Sequence, residues 1–587
     1  MLKEKEKETL NPLKIKTATQ ISIIILSILG LLAGIAVFLF PQIRLMIIGL
    51  IGKVIGRNIV LIQGWLNTLK MYALGLIFLI LLFDYFALTK KGRKLVEDVK
   101  REIKESFSEI DFHSLYKPVL FMSGVYFLGT FTIIRANSLY LDDIGRAIEG
   151  YRGWYNWSRY VAELLSVFIH ADAKLTDISP LPQLLAIFLL SISSVLLVYI
   201  LGEKKITYVR LLASIPLGLS PYFLECLSYK FDAPYMALSI LTSIIPFLFI
   251  SRKKTFLSSS IFSLLIMCMT YQAASGIYML IVAILCFQDW NKQTKSYKEI
   301  FSFLGLAALA FCITMLIFKF FFARSTDLDG FYVSTAIHSL PHMIPGIWAN
   351  LIHYTIIIGS DFGVIWKTGI ILICILFIFK SIRTSVHHRI HSVAISILFI
   401  GLSFILSYGV YYLFETPLFY PRALYGFGVF LSILCIYTVS DFKIIASITV
   451  LAFNWCLLVF AFSYGNALAD QARYAEFRIG ILLYDINALY PGRNDAKLAY
   501  QLKNTIDYAP SIKNIAKHYP VIERLVPKRL GFTGNDWEFR YFQDHFNSQM
   551  EYDYSIDYNL LDLPVVLDSY YHTIKSDGIH CFVILKH

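Results

Sequence analysis

The sequence PVLFMSGVYFLGTFTIIRANSLYLDDIGR, residues 118–146, passes from an apolar run into a polar segment within a few positions. The run from Pro118 to Ile134 carries no charge, and a helix needs about 20 apolar residues to cross a bilayer. Two adjacent carboxylates, Asp142 and Asp143, follow where such a helix would reach water. The stretch therefore predicts a membrane helix that presents two acidic groups at a water-facing rim.

The composition extends this reading to the whole chain. Of its 587 residues 57% are hydrophobic and only 16% are charged, which is too apolar for a water-soluble core of this size. The net charge of +12 comes from short basic runs between apolar segments, and such runs are topology signals. We therefore expect a polytopic α-helical membrane protein with no nucleic-acid partner.

Apolar runs predict about 13 membrane helices, a count that rests on the length needed to span. They lie near residues 20–41, 70–89, 118–135, 181–202, 208–224, 233–250, 256–273, 275–288, 300–322, 364–382, 392–413, 423–440 and 444–464. Basic clusters such as Lys90–Lys94 mark the cytoplasmic side. The loops holding Asp142, Glu225–Asp232, Arg324–Asp361 and Glu415–Arg422 then face outward, as does the tail.

Four regions follow from this pattern. Residues 1–89 are predicted to form a transmembrane hairpin with an interfacial helix at 43–65, and residues 90–117 a cytoplasmic amphipathic linker. Residues 118–464 form the main membrane module. Residues 465–587 are predicted to be a small extracytoplasmic α+β domain. In that domain we expect helix at Asp495–Ile506 and strands at Asp568–Lys575 and Ile579–Leu585, joined by a turn at Ser576–Gly578.

The loop around Asp142 and Asp143 contains several arginines and aromatic rings, among them Arg146. Such a loop suits sugars and phosphates, because rings stack on sugars and guanidinium groups grip anions. A carboxylate there can act as a general base toward a hydroxyl. The alternative is structural: both aspartates cap a surface helix and pair with Arg146 one turn later.

Three other segments place polar groups at the outward rim. Glu225, Lys230 and Asp232 interrupt two apolar runs, where unpaired charges are costly, although a solvated turn explains them too. Tyr271 and Gln272 close another run and can bind a sugar hydroxyl or simply meet water. Arg422 can grip a phosphate or anchor the bilayer.

Cysteines and histidines do not indicate a metal or disulfide site. Six of the eight cysteines lie inside apolar runs and no CxxC pair occurs. His338, His342 and His353 have spacings that fit metal signatures poorly. We therefore predict no cofactor and no metal.

Taken together, these segments resemble the type II Gtr family of bacterial O-antigen-modifying glucosyltransferases. The resemblance covers about residues 118–464. It is carried by Tyr140-Leu-Asp-Asp143 with Arg146, Pro221–Glu225 followed by Leu227–Asp232, Tyr271-Gln272 and Tyr420-Pro-Arg422. The order of these motifs and their common outward side carry more weight than any one of them.

The resemblance implies a GT-C glycosyltransferase module. Its members move a hexose, usually glucose, from a polyprenyl phosphate to a cell-surface glycan with inversion, on the outer face of the bacterial inner membrane. A polyprenyl phosphate leaves as an anion, so the site needs a base and cations. We expect Asp143 or Asp142 as the base, with a slight preference for Asp143. Donor phosphate binding is expected from Arg422, Lys230 and Arg146, and substrate binding from Glu225, Asp232, Tyr271, Gln272 and Tyr140.

Two other functional classes remain open. A polysaccharide polymerase or ligase would share the lipid carriers and outward loops without needing an acidic base. A transporter of lipid-linked sugars would need charges near the bilayer midplane and internal repeats, which the sequence does not show.

Overall fold

The computed structural model describes residues 26–35, 37, 43, 77, 80–81, 84–323, 336–439, 444–491, 498–530 and 550–586. Most of the predicted N-terminal hairpin, including all but one residue of its interfacial helix, lies outside these described residues.

The described part is mainly helical with one small sheet. Its α-helices are Leu26–Ile35, Lys90–Ser108, Phe112–Ala136, Asp142–Glu149, Tyr160–His170, Leu181–Leu201, Tyr208–Ala213, Pro216–Leu219, Pro221–Ser228, Ala233–Ile244, Lys253–Thr270, Ser275–Lys292, Tyr297–Ile317, Met343–Asp361, Val364–Thr384, Arg389–Leu406, Gly426–Val439, Ile445–Leu489, Pro510–His518 and Ile522–Leu525. The strands are β1 (Leu498–Lys503), β2 (Met550–Tyr552), β3 (Val565–Asp568), β4 (His572–Ser576) and β5 (His580–Leu585). Shorter 3₁₀ turns include Trp154–Trp157, Gln272–Ala274, Gly409–Leu413 and Pro421–Ala423.

Eight helices in the described ranges are long and apolar enough to cross a membrane, or nine if one bent pair is a single span. They are His113–Ala136, Leu181–Leu201, Gln272–Lys292, Tyr297–Phe322, Leu340–Asp361, Val364–Thr384, Arg389–Leu406 and Ile445–Leu489. All but Leu340–Asp361 coincide with predicted spans. The chain thus has the character of a multi-pass membrane protein, while the total of 13 spans stays a prediction.

The expectation that Arg324–Asp361 forms an outward loop is wrong for its second half. The helix there carries a stripe of exposed apolar side chains, one every four residues, at Leu340, Ile344, Trp348, Ile352 and Ile356. Residues four apart share one face of a helix. On the other face Asn350 donates to the carbonyl oxygens of Tyr412 and Phe414, at 3.0 and 2.9 Å. Polar residues on that face lower the mean hydropathy and obscured the helix.

A break in one apolar run determines where Glu225 lies. The helices Tyr208–Leu219 and Pro221–Ser228 meet at an angle of 62°. Pro221 cannot donate to the preceding helix, and the Ser220 hydroxyl caps the new one by accepting from the Phe223 N–H at 3.4 Å. Every residue of Pro221–Ser228 is buried. The break therefore places Glu225 inside the protein instead of in lipid.

The helix that leads into the polar loop is held by close helix contacts. Gly465 lets Ile445–Leu489 approach Thr132, and the Thr132 hydroxyl donates to the Ala461 carbonyl at 3.1 Å. A hydrogen bond of 2.6 Å joins the hydroxyls of Tyr126 and Ser194. Small residues and interhelical hydrogen bonds are the usual means of packing membrane helices.

The chain separates into two compact units. The first comprises Met1–Ile110, Phe249–Ser258 and Cys312–Ala323, and the second the rest. In the first unit, Arg252 pairs with Glu105 and Glu109 of the helix Lys90–Ser108. All the site residues described below belong to the second unit.

The C-terminal region is built on one long helix. Ile445–Leu489 has 45 residues and continues past residue 464, and its Ala475, Ile479 and Leu482 pack in one apolar core with the sheet. The strands follow the order β2-β1-β5-β4-β3, with β1 parallel to β2 and β5.

Two local expectations for this region have different outcomes. The hairpin around Ser576–Gly578 is confirmed, because β4 and β5 pair antiparallel with Ser576 opposite Cys581. The helix at Asp495–Ile506 is wrong, because Leu498–Lys503 is strand β1. Buried Leu498 and Tyr500 alternate along it, which is the strand period of two.

We expect a cysteine that replaces Tyr570 to react with a membrane-impermeant maleimide in right-side-out vesicles, and one that replaces Lys94 to stay protected. Tyr570 is 82% exposed in the tail and Lys94 is exposed in the basic cluster that marks the cytoplasmic side. The unsubstituted protein, with its eight native cysteines, provides the background. Labelling at position 94 with protection at 570 would invert the topology.

Candidate active site

The loop that carries Asp142 and Asp143, called the first loop below, begins where the helix Phe112–Ala136 ends. Asn137 takes the left-handed conformation with φ 47°, a common way to end a helix. Leu141 also has a positive φ of 44°, which is strained for a branched side chain. The backbone then enters the helix Asp142–Glu149. This turn determines which way the two aspartates point.

Asp143 is fully buried and is bound by the main chain. Its Oδ2 accepts the N–H of Lys230 at 2.8 Å and of Tyr140 at 3.2 Å, and its Oδ1 accepts the N–H of Phe231 at 3.4 Å. Burial raises the pKa of Asp143 to about 7, although these N–H groups and Arg146 favour the charged form. Asp143 therefore ties the first loop to the segment after the broken helix.

Asp142 is placed differently. Its side chain is partly exposed, and among the described residues no hydrogen bond holds its carboxylate. It lies close enough to Arg422 and Tyr229 to interact with both electrostatically. The two aspartates thus differ in their surroundings: Asp143 is buried and held by main-chain N–H groups, whereas Asp142 is partly exposed.

Arg422 sits in the 3₁₀ turn Pro421–Ala423, opposite the first loop. Its main-chain N–H and the Glu225 carboxylate form a hydrogen bond, and its guanidinium lies 3.7 Å from Glu225 Oε1. The guanidinium also bonds the Tyr229 hydroxyl and lies over the rings of Tyr229 and Tyr420, at 5.2 and 5.0 Å. These contacts aim the cation into the polar cluster.

Glu225 joins this turn to the first loop. The Tyr140 hydroxyl lies 3.2 Å from Glu225 Oε1 and 2.6 Å from the Leu525 carbonyl oxygen. Glu225 is only 1% exposed, so each of its oxygens needs a donor. Tyr140 and Arg422 supply these donors.

Two of the expected donor-binding cations are already paired. Arg146 and Asp232 form a buried ion pair, and Trp154 Nε1 donates to Asp232 Oδ1 at 2.5 Å. Lys230 Nζ donates to Asn137 Oδ1 at 2.6 Å and to Asp177 Oδ2 at 2.9 Å. Paired in this way, Arg146, Lys230 and Asp232 hold the loops together.

Arg159 is a site residue that sequence reasoning did not select. Its guanidinium lies 4.4 Å over the Tyr271 ring and 4.0 Å from Asp232 Oδ1. Within the described structure, Arg159 Nε and the Tyr271 hydroxyl are buried without a hydrogen-bond partner. Nearby, Gln272 Nε2 donates to the Trp157 carbonyl at 3.1 Å. The only sequence signal for Arg159 was its place in the arginine-rich and aromatic loop.

A second missed pair comes from distant parts of the chain. Arg524 of the tail forms an ion pair with Asp361 at the end of the helix Met343–Asp361. Tyr222 donates to the same carboxylate at 2.9 Å. No motif connects these residues, so only the fold reveals them.

The structure brings all the predicted site residues into one cluster. They are Tyr140, Asp142, Asp143, Arg146, Glu225, Lys230, Asp232, Tyr271, Gln272 and Arg422. The three histidines considered as ligands have other contacts: His338 Nε2 lies 3.4 Å from Asn350, His342 bonds Ser339, and the His353 ring lies 4.3 Å from that of Phe419 at a tilt of 40°. In the part of the chain that the structure describes, no three His, Cys, Asp or Glu side chains are grouped as metal ligands.

The cluster coincides with a region of similarity to known proteins. A family model described as Glucosyl transferase GtrII matches residues 131–433, a range that includes every residue of the cluster named above. An uncharacterized 55.3 kDa protein in the gtrB 5′ region of Salmonella phage P22 is 24% identical over 434 residues, covering 70% of this chain and 86% of the relative. No solved structure shows a significant match.

We expect Asp143 to make the stability of the protein pH-dependent. Its folded pKa of about 7 exceeds the ordinary value of 3.8, so the folded state holds its proton more tightly than the unfolded state does. The stabilisation is complete below about pH 4 and is lost as the pH rises toward 7. The unfolding midpoint in detergent should therefore fall over this range relative to Asp143→Asn.

The control is Asp142→Asn, which changes the adjacent, partly exposed carboxylate and should keep the pH slope of the unsubstituted protein. Parallel pH curves for the unsubstituted protein and Asp143→Asn would show that burial does not perturb this group.

Proposed function

We propose, because the chain belongs to the glucosyl transferase GtrII family, that it moves glucose from a polyprenyl phosphate to a hydroxyl of a cell-surface glycan such as O-antigen. The observation that carries the proposal is one cluster that contains an available carboxylate, Asp142, beside an arginine, Arg422. The relative in the gtrB region of a Salmonella phage supports the same reading.

The chemistry is a single displacement. The acceptor oxygen forms a bond to the anomeric carbon while the bond from that carbon to the phosphate oxygen breaks. The proton of the acceptor hydroxyl passes to the base, and polyprenyl phosphate leaves as an anion. A retaining reaction would need a second carboxylate as nucleophile, whereas Asp143, Asp232 and Glu225 are all engaged. This supports inversion.

Asp142 is the base in this proposal. A base must reach the proton that it removes, and Asp143 is buried with both oxygens bound to main-chain N–H groups. Asp142 starts the same helix, is partly exposed and lies close enough to Arg422 and Tyr229 for its charge to act on both. The initial preference for Asp143 is therefore replaced by Asp142.

Arg422 and Arg159 are the cations that receive the donor phosphate. Arg146 and Lys230 already have carboxylate partners, Asp232 and Asp177. Arg159 has an unpartnered Nε, and the neighbouring Tyr271 hydroxyl is also unpartnered. Buried polar atoms without partners are costly, and phosphate oxygens would satisfy both.

The bilayer setting fits a lipid-linked donor. Eight helices in the described ranges are long and apolar enough to cross a bilayer, so in this proposal the polyprenyl chain remains in lipid while its phosphate reaches the cluster. The positions of the basic loops support a site on the outer face of the inner membrane. The GT-C architecture belongs to this proposal, supported by the acidic loop that follows the helix Phe112–Ala136.

We expect the purified protein in liposomes to transfer glucose from polyprenyl-phosphate glucose to an O-antigen glycan, as detected by mass spectrometry of the product. Asp142→Asn should lower kcat by roughly 10² to 10⁴, because the amide cannot accept the proton. Its unfolding midpoint should be unchanged. Full activity in Asp142→Asn would remove this carboxylate from the chemistry and favour a polymerase or ligase type of mechanism without an acidic base.

We expect Arg422→Ala to weaken donor use by about 1.5–3 kcal/mol, the usual contribution of a hydrogen bond to a charged group. Arg422→Lys should lose less, because lysine keeps the charge but not the two-pronged geometry. The measurement is the KM for the lipid-linked sugar. Arg473→Ala, a change at a surface residue paired with Asp470, is the control. An unchanged KM in Arg422→Ala would make Arg422 a membrane anchor.

A further inference from the structure

We propose that residues 524–529 of the C-terminal domain position the two halves of the site against each other, with Arg529 holding the loop of Asp142 and Arg524 holding the loop of Arg422. This inference rests on the proposed function. The segment lies outside the range 131–433 that the family model matches.

The first contact set fixes the loop that carries Asp142. Arg529 Nη2 donates to the Ser138 hydroxyl and to the Leu139 carbonyl, both at 2.8 Å. The Leu525 carbonyl lies 2.6 Å from the Tyr140 hydroxyl. The tail therefore forms hydrogen bonds with three consecutive residues, Ser138, Leu139 and Tyr140, just before the strained turn at Leu141.

The second contact set fixes the loop that carries Arg422. The Arg524 guanidinium bonds the Phe419 carbonyl and the Asp361 carboxylate. Phe419 precedes Arg422 by three residues. Asp361 is 2% exposed, and a buried carboxylate stays charged only with a partner such as Arg524. Arg524 thus ties the Arg422 loop to the end of the helix Met343–Asp361.

The segment is rigid enough to act as a clamp. Val521, Ile522, Leu525 and Val526 are all buried at 1% exposure or less. Behind them, the main chain of Ile506 bridges to that of Arg529. Arg529 and Arg524, the two arms of the clamp, both come from this packed segment. A shift of the tail therefore changes the distance between the base, Asp142, and the phosphate-binding cation, Arg422.

The two arms lead to different kinetic expectations. The Asp142 loop serves proton transfer, so disturbing Arg529 should act on kcat. The Arg422 loop serves the donor phosphate, so disturbing Arg524 should act on the KM for the lipid-linked sugar. A residue that only stabilised the fold would lower the amount of folded enzyme, which reduces the apparent kcat and leaves KM unchanged, so kcat is expressed per folded enzyme as counted by the stoichiometry of donor binding.

The test uses the full-length protein in the glucosyl transfer assay. Arg529→Gln should lower kcat on the order of 10- to 100-fold, the effect of a misplaced catalytic group, with the donor KM little changed. Arg524→Lys keeps the charge opposite Asp361 but loses the second bond to Phe419. It should raise the donor KM roughly three- to tenfold with kcat little changed.

Lys528→Ala is the matched control, since Lys528 lies in the same segment but pairs with Asp507 and touches neither loop. It should leave both constants unchanged. Should Arg524→Lys fail to fold, the pair Asp361→Asn with Arg524→Gln removes both charges together and should show the same rise in KM. Equal loss of kcat and kcat/KM in all variants, or no change in any, would overturn the clamp. Absence of transfer by the unsubstituted protein would instead refute the proposed function.

Discussion

The arrangement of the site depends on three main-chain N–H groups that converge on the Asp143 carboxylate. Two of them belong to Lys230 and Phe231, and one belongs to Tyr140. A buried carboxylate needs such donors because it has lost water. The same bonds hold the loop after the helix Phe112–Ala136 against the segment after the broken helix. They therefore restrict the positions that Asp142 and Arg422 can take. In the proposed reaction, Asp143 therefore holds the two segments together, and its neighbour Asp142 acts as the base.

The remaining charges follow from pairing in a low-dielectric setting. Arg146 with Asp232, and Lys230 with Asp177, form ion pairs, and each partner offsets part of the cost of burying the other's charge. Arg159 and Arg422 have rings beside them and more limited carboxylate contact. In the proposed reaction the donor phosphate is a diester with one negative charge and gains a second as polyprenyl phosphate leaves, so these two guanidinium groups would attract it, and the paired cations would serve as scaffold.

Sequence reasoning predicted the multi-pass membrane character, seven of the eight candidate spans and ten polar or aromatic residues that the structure brings together, because apolar runs and interrupting charges are local signals. It could not tell Asp142 from Asp143, since adjacent residues on a helix point about 100° apart and the direction depends on the turn at Leu141. It missed Arg159, Asp361 and Arg524 because their partners are far away in sequence. It took Leu340–Asp361 for a loop because a one-sided apolar stripe has a modest average hydropathy.

The broken helix explains why a membrane protein can hold this chemistry. Main-chain groups freed by a break cannot face lipid, and the residues Pro221–Ser228 are wholly enclosed by protein. Enclosure requires neighbours on all sides, and the tail supplies one of them through the Leu525 carbonyl, which lies 2.6 Å from the Tyr140 hydroxyl and 3.4 Å from the Tyr464 hydroxyl. The domain after the last membrane helix is therefore part of the shell that allows Glu225 to remain buried, and with it the position of Arg422.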